Sequence, residues 1–329
     1  MRHNYNNYNK MKNIKSCVFI FAGMMLAMAC NNQGFKKTRS GLLYKIISDG
    51  KGEAAKKGQF LKINFVQKIR DSVLNSSSEG MPVYTPVDST GPNYSAAEIF
   101  PMLRKGDSAV IILLADSLQR KSGQPLPPFI KKRDKITLFL RVLDVFPSQA
   151  LVRKDEDNEI QKQKQKEIKI VEDYLAKNKI TAQKTEKGTY VEVKSKGDGP
   201  AVDSGKEISV LYTGKAIPSG KVFESNMNGP NTEPYKFVVG RRQIIQGWDD
   251  GLRLFKKGGK GTLYIPAFLA YDSRQGPGGK QYENLIFDVD IVDVRDAPSQ
   301  PGTNAKPPSG LPQKVDPQSK KLMPQPQHK

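Results

Sequence analysis

Two copies of one pattern run through this chain. Thr38, Gly41, Gly50, Gly52, Gly58 and Phe65 recur 147 residues later as Thr185, Gly188, Gly197, Gly199, Gly205 and Tyr212. Matching turn residues at one fixed offset signal a duplicated structural unit, and 329 residues leave room for two domains of about 100–150 residues each. Only the second copy goes on to the run IIQGWDDGL, Ile244 to Leu252, which holds the single tryptophan. One unit is thus expected to carry equipment that the other lacks.

The N-terminus stands outside that repeat. Arg2, Lys10, Lys12 and Lys15 precede a thirteen-residue apolar run from Cys17 to Ala29. A basic start followed by about 7–15 apolar residues reads as a secretory signal. Its end, Leu26-Ala27-Met28-Ala29-Cys30, resembles a bacterial lipobox, although Leu26 stands four residues before the cysteine instead of three. The resemblance implies cleavage after residue 29 and lipid attachment at Cys30, with residues 30–40 as a tether. Cys17 leaves with the signal, so a mature chain would keep one cysteine and could form no internal disulfide. Two or more acyl chains on Cys30 would hold it firmly to a membrane. Asn31 after the cysteine favours the outer membrane, facing the periplasm.

The formal charge of +20 falls to +16 without residues 1–29. Such a surface attracts polyanions, but export argues against nucleic acid and for a basic envelope-facing surface. Residues 41–148 are read as the first domain, with residues 76–95, rich in Ser, Gly, Pro and Asn, as a long loop. Residues 149–181 form a charged connector, helical across 153–178, with a narrow apolar stripe at Ile168, Val171 and Leu175. The second domain spans 182–295. Alternating apolar residues mark strands around Ile208–Tyr212, Leu263–Ile265 and Leu285–Ile291. Ile245, Trp248, Leu252 and Phe255 mark one helix, stopped by Gly258 and Gly259. The expected class is α+β, in which sheets cover a short helix. Residues 296–329 hold eight prolines among Gln, Lys and Ser, a composition too poor in large apolar side chains to order itself.

Histidine occurs only at positions 3 and 328, outside both domains. That removes Ser-His-Asp and Cys-His catalysis, and a His-ligated zinc site with it. The run Lys257-Gly258-Gly259-Lys260-Gly261 lacks the spacing of a phosphate loop. Neither a metal nor a cofactor is expected. What the second domain offers is aromatic: Tyr212, Phe223, Phe237, Trp248, Tyr271 and Phe287.

Along VLYTGKAIPSGKVFESN (Val210–Asn226), PYKFVVGRRQIIQGWDDGL (Pro234–Leu252), LYIPAFLAY (Leu263–Tyr271) and LIFDVDIVDV (Leu285–Val294), the second domain resembles FKBP-type peptidyl-prolyl cis/trans isomerases. The resemblance implies tandem FKBP-like domains, the second a five- or six-stranded antiparallel sheet wrapped around a short helix. It assigns the catalytic pocket to Tyr212, Phe223, Glu224, Ile245, Trp248, Tyr271 and Phe287, with Phe237, Ile244 and Tyr282 binding substrate. The Ile245 amide would hold a substrate carbonyl, and Tyr271 would offer its hydroxyl to a neighbouring one. Expected partners are proline-containing unfolded or exported polypeptides, and macrolide-type ligands. Two departures stand out. Glu224 replaces the family's usual aspartate, and residues 279–284 lack its Ile-Pro-Pro-Asn pattern, with Tyr282 expected to compensate in part. At the matching sites of the first domain stand Phe65, Leu74, Asn75 and Ala96, so little or no activity is expected there.

The leading reading is a membrane-anchored isomerase that assists folding of exported proteins. The alternative is a weak or inactive client-binding chaperone that uses the same pocket and the degenerate first domain. A third reading, a structural lipoprotein of the envelope, is permitted by the charge and the tail but demanded by nothing.

Overall fold

The computed structural model describes residues 34–48, 52–77, 80–88, 93–227 and 232–297. The signal, Cys30 and the residues beyond 297 lie outside them. The chain divides into two compact units. Among the described residues, one comprises those up to Asn75 together with Thr85–Val145, and the other comprises Ser76–Tyr84 together with those from Phe146 on.

The first sheet is built from β1 (Lys36–Lys37), β2 (Leu43–Ile47), β3 (Phe60–Ile69), β4 (Ser72–Ser76), β5 (Val83–Pro86), β6 (Ser108–Leu114) and β7 (Lys135–Phe146). Its order is β1-β2-β6-β7-β3-β4, with β5 paired to β3. A 3-10 helix, Ala96–Met102, precedes β6, and α1 (Ala115–Ser122) follows it. Leu61, Ile63, Ile99, Leu103, Ile111 and Leu140 are buried in this unit. Residues 76–95, read as one loop, contain β5 and the end of β4. The sequence Met-Pro-Val-Tyr-Thr-Pro hides that strand because prolines flank it, and proline is tolerated in sheets only at edges and strand starts.

The second sheet begins after α2 (Gln149–Lys177), a helix whose N-cap is Ser148. It comprises β8 (Gln183–Lys184), β9 (Tyr190–Ser195), β10 (Lys206–Ala216), β11 (Val222–Ser225), β12 (Tyr235–Val238), β13 (Lys260–Ile265) and β14 (Leu285–Asp296). All pairs are antiparallel, in the order β11-β10-β14-β13-β9-β8 with β12 on β10. Seven strands replace the expected five or six; the extra edge is the two-residue β8. Between β12 and β13 lies α3 (Gln246–Gly251), continued by a 3-10 turn over Leu252–Leu254. The helix is shorter than its apolar spacing suggested: Phe255 caps it in extended conformation. It can lie flat on the sheet because position 247 has no side chain; a Cβ there would run into Ile265.

The two sheets have the same strand order, and the repeated residues perform the same tasks. Gly41 and Gly188 donate to the carbonyls of Thr38 and Thr185, at 3.0 and 3.2 Å. Gly58 and Gly205, both at φ 85°, donate to Val87 and Val239 at 2.9 Å each. Ala55 donates to Leu103 as Val202 does to Phe255, at 2.8 and 3.1 Å. That last pairing aligns the two helical segments and sets Ala96 against Trp248.

The connecting helix is not a free spacer in its C-terminal half. Ile168, Val171, Tyr174 and Leu175 pack with Tyr190, Ile217, Tyr264 and Ile286 in one apolar cluster. This covers the second sheet on the face away from α3, because Tyr264 and Ile286 alternate in their strands with Leu263, Ile265 and Phe287 of the main core.

Candidate functional site

Among the side chains that β10, β11, β12 and β14 turn toward α3 are four aromatic ones, Tyr212, Phe223, Phe237 and Phe287, and they gather around Trp248. Trp248 and Tyr212 are fully buried, as is Phe287. Tyr212 stands edge-on to Trp248 with ring centres 5.2 Å apart, and Phe287 does the same from another side at 5.1 Å. Phe237 tilts against Trp248 at 5.8 Å, and Phe223 meets Phe287 edge-to-face at 5.8 Å. Such contacts contribute about 0.5–1.5 kcal/mol each beyond burial, so the wall is stiff. Phe223 approaches β10 at Gly214, where a Cβ would lie 2.5 Å from its ring.

Ile244 and Ile245 belong to the same cluster, with Phe223 and Tyr271 half-buried at its margin. Ile245 is the N-cap of α3 in extended conformation, so its amide precedes the helical bonds. Among the described residues that amide finds no acceptor.

The polar edge is made by Glu224. The Tyr212 hydroxyl donates to its carboxylate, and Tyr235 and Tyr271 feel its charge. Burial pushes the Glu224 carboxyl above the ordinary glutamate range, and the Tyr212 bond only partly opposes this. Burial likewise raises the Tyr212 and Tyr271 hydroxyls, which therefore stay protonated donors. Glu224 Oε2 and Trp248 Nε1 are buried without a partner among the described residues. Buried polar atoms are nearly always paired. An orphan acceptor and an orphan donor thus stand on one apolar wall.

Tyr282 is the predicted site residue that the fold places elsewhere. It sits in left-handed conformation, φ 51°, outside the aromatic cluster. Its amide donates to Asp272, its ring lies against Gly80, and burial raises its hydroxyl to about 12. The neighbouring loop is instead shaped by Glu283, whose carboxylate accepts the Gly278 amide at 2.6 Å. Sequence reading also passed over Tyr235, which stacks on Phe237 at 5.7 Å. The signal was present, since residues 235 and 237 share one face of a strand. Asn226 escaped notice as well. Its Oδ1 accepts the Tyr212 amide at 2.6 Å, and its Nδ2 donates to Val210 and Glu233.

Ile244 and Ile245 also border a separate cleft of about 520 Å³ with Lys187, Arg242, Asp249 and Arg253 on its walls. None of the pocket aromatics lines it, so it is not the apolar site. No cluster of three or more metal-ligating side chains occurs among the described residues. No helix among them is long and apolar enough to cross a membrane.

The family model for FKBP-type peptidyl-prolyl cis-trans isomerases matches residues 199–292, the stretch that contains every residue of this site. An FK506-binding protein of Streptomyces anulatus is 43% identical over 100 residues, which is 30% of this chain and 79% of that protein. FK506-binding protein 4 of Mycosarcoma maydis is 30% identical over 188 residues, 55% of this chain and 48% of the relative. The chain spans about half the length, or less, of the first curated relatives it matches. Among solved structures, FkpA from Escherichia coli is 30% identical, with 46% of this chain and 69% of FkpA covered at a TM-score of 0.36.

Proposed function

The chain belongs to the FKBP-type peptidyl-prolyl cis-trans isomerase family, and from that premise we propose that its second domain catalyses rotation of X–Pro bonds in polypeptides, while its first domain does not. The observation that carries this is the apolar aromatic wall with two buried unpaired polar atoms.

Rotation about an amide faces a barrier of about 18–20 kcal/mol, because the planar form is held by resonance. At the twisted transition state that resonance is gone and the C–N unit is less polar. A dry pocket floored by Trp248 and walled by Tyr212, Phe223, Phe237 and Phe287 favours the twisted form over the planar one more than water does. Only such differential binding accelerates the step, and each 1.4 kcal/mol of it gives about tenfold. The free Ile245 amide is suited to hold a carbonyl of the flanking peptide, and the Tyr271 hydroxyl a neighbouring one. Glu224 Oε2 can accept a donor from the bound chain. Macrolide-type ligands would fill the same wall. No proton transfer or nucleophile is needed.

The first domain keeps the sheet and loses the wall. Ala96 stands at the place of Trp248, and Leu74 on β4 falls near the place that Phe223 takes on β11. The substrates we assign are proline-containing segments of unfolded, exported proteins, met at a bacterial envelope membrane to which Cys30 is lipid-attached. That assignment rests on the basic, apolar, small-residue succession from Arg2 to Cys30.

Expression of the full chain and a Cys30→Ser variant in a bacterial host tests the anchoring half. The expected result is incorporation of labelled fatty acid and recovery in the membrane fraction for the wild type, with both lost in the variant. Equal distribution of the two would overturn it. For the catalytic half, refolding of a proline-limited exported protein should be accelerated by the wild type and not by Phe223→Ala. Equal acceleration by both would move catalysis away from the Phe223 wall, and no acceleration by the folded wild type would favour a chaperone without catalysis.

A further inference from the structure

The strip that carries Tyr271 to the margin of the pocket is tied to the connecting helix by a buried carboxylate. Glu167, on α2, is 1% exposed. Its Oε2 accepts the Phe268 amide at 2.8 Å and its Oε1 accepts Gln163 Nε2 at 2.9 Å. A second strut runs in parallel. Asn284, 2% exposed, accepts the Ala267 amide through Oδ1 at 2.8 Å and donates Nδ2 to the Glu167 carbonyl at 3.1 Å. The turn Ala267–Leu269 is a single 3-10 turn and makes few bonds of its own. Two of its three amides end on this network, which leaves Tyr271 three residues beyond the last tie.

Ala267, Leu269 and Ala270 are packed on the core side of the strip, but packing does not close its other side. A cavity of about 300 Å³ lies beside it, bordered by Ile160, Gln163, Glu167, Phe268, Asp272 and Tyr282. On that side the turn has room to move, and polar bonds have to fix it. Leaving a buried carboxylate unpaired costs far more than a neutral side chain would, so its retention fits a role in geometry.

We propose that Glu167 is a positioning residue of the isomerase site, holding through Phe268 the strip that presents Tyr271 to the substrate; this rests on the isomerase reading above. The connecting helix is then part of the site's scaffold, and the second domain cut at residue 182 lacks one of its supports.

The test uses the full chain as wild type, Glu167→Gln and Glu167→Ala. The Gln side chain keeps an oxygen for the Phe268 amide, whereas Ala leaves that amide unpaired. Two readouts are taken on each: amide hydrogen exchange along 267–272 against the amides of β10, and kcat and KM for a short X–Pro peptide. For Glu167→Ala the expected result is exchange at least tenfold faster along 267–272 with β10 unchanged, and kcat/KM about five- to tenfold lower, mainly through KM. Glu167→Gln should restore both to within about twofold of wild type. Unchanged kcat/KM in the Ala variant would overturn the proposal, as would a Gln variant as impaired as Ala. So would exchange that rises equally in β10, which would mean loss of stability alone. A wild type without turnover would defeat the isomerase reading instead. The exchange contrast and the Kd of the same peptide would then still decide the role of Glu167, by the same comparison of Gln and Ala.

Discussion

At the scale of single residues, the site depends on two positions whose effect comes from very little. Gly214 leaves space for Phe223, and a methyl group there would meet the Phe223 ring at 2.5–2.6 Å and Phe287 at 3.0 Å. Gly214→Ala is therefore expected to turn Phe223 out of the wall and lower kcat/KM at least tenfold, with near-ultraviolet dichroism changed and the strand content kept. Glu224 acts through its proton. Because burial raises its folded pKa above the ordinary 4.5, the folded chain holds the proton more tightly than the unfolded one. The folded state thus loses stability as the pH climbs from about 4.5 through the raised value. Glu224→Gln removes that loss. The difference in Tm, Gln variant minus wild type, should be near its minimum at pH 4 and grow towards pH 7; a difference that shrinks over this range would contradict the burial argument. Most of the aromatic wall was legible in the sequence: Tyr212, Trp248 and Phe287 sit on periodic segments whose faces can be counted, while Phe223 and the pocket itself came only from the family resemblance. Tyr282 was not, since its place depends on a left-handed loop residue. The orphan atoms of Glu224 and Trp248 were not legible either, because pairing is a property of three dimensions.

At the scale of elements, the connecting helix shows where pattern reading ends. The stripe Ile168, Val171 and Leu175 pointed to one packed face, and that face is packed. Nothing in a run of Lys, Glu and Gln distinguished Glu167 from its solvated neighbours, since burial of a charge follows from what it meets. Leu175→Ala should cost about 2–3 kcal/mol by cavity formation, measured by denaturant unfolding. Lys169→Ala should change stability by less than about 0.5 kcal/mol, because its pair with Asp173 is exposed and such pairs contribute little. Equal effects of the two would mean that the helix does not pack as described. The strand β5 was missed for the opposite reason. Its prolines spoke for a loop, and only pairing with β3 makes it a strand.

At the scale of the whole molecule, the duplication is the main lesson. The repeat was visible in turn glycines, and the fold gives the reason for two of the pairs: Gly41 and Gly188, and Gly58 and Gly205, make the same backbone bonds in both sheets. The strand order they support is shared, while the wall is not. Among the described residues one sheet design occurs in two copies and the aromatic wall in one, so a shared fold and an unshared candidate site stand in the same chain. The contrast between Phe223 on β11 and Leu74 on the matching strand β4 turns that difference into an experiment. The most direct test is cis/trans exchange of a short X–Pro peptide, followed by magnetisation-exchange spectroscopy, with the full chain as wild type, Phe223→Ala and Leu74→Ala. Acceleration by the wild type, unchanged in Leu74→Ala and reduced at least tenfold in Phe223→Ala, is the predicted result. Acceleration that survives Phe223→Ala and is lost in Leu74→Ala, or no acceleration by a folded wild type, would contradict the account.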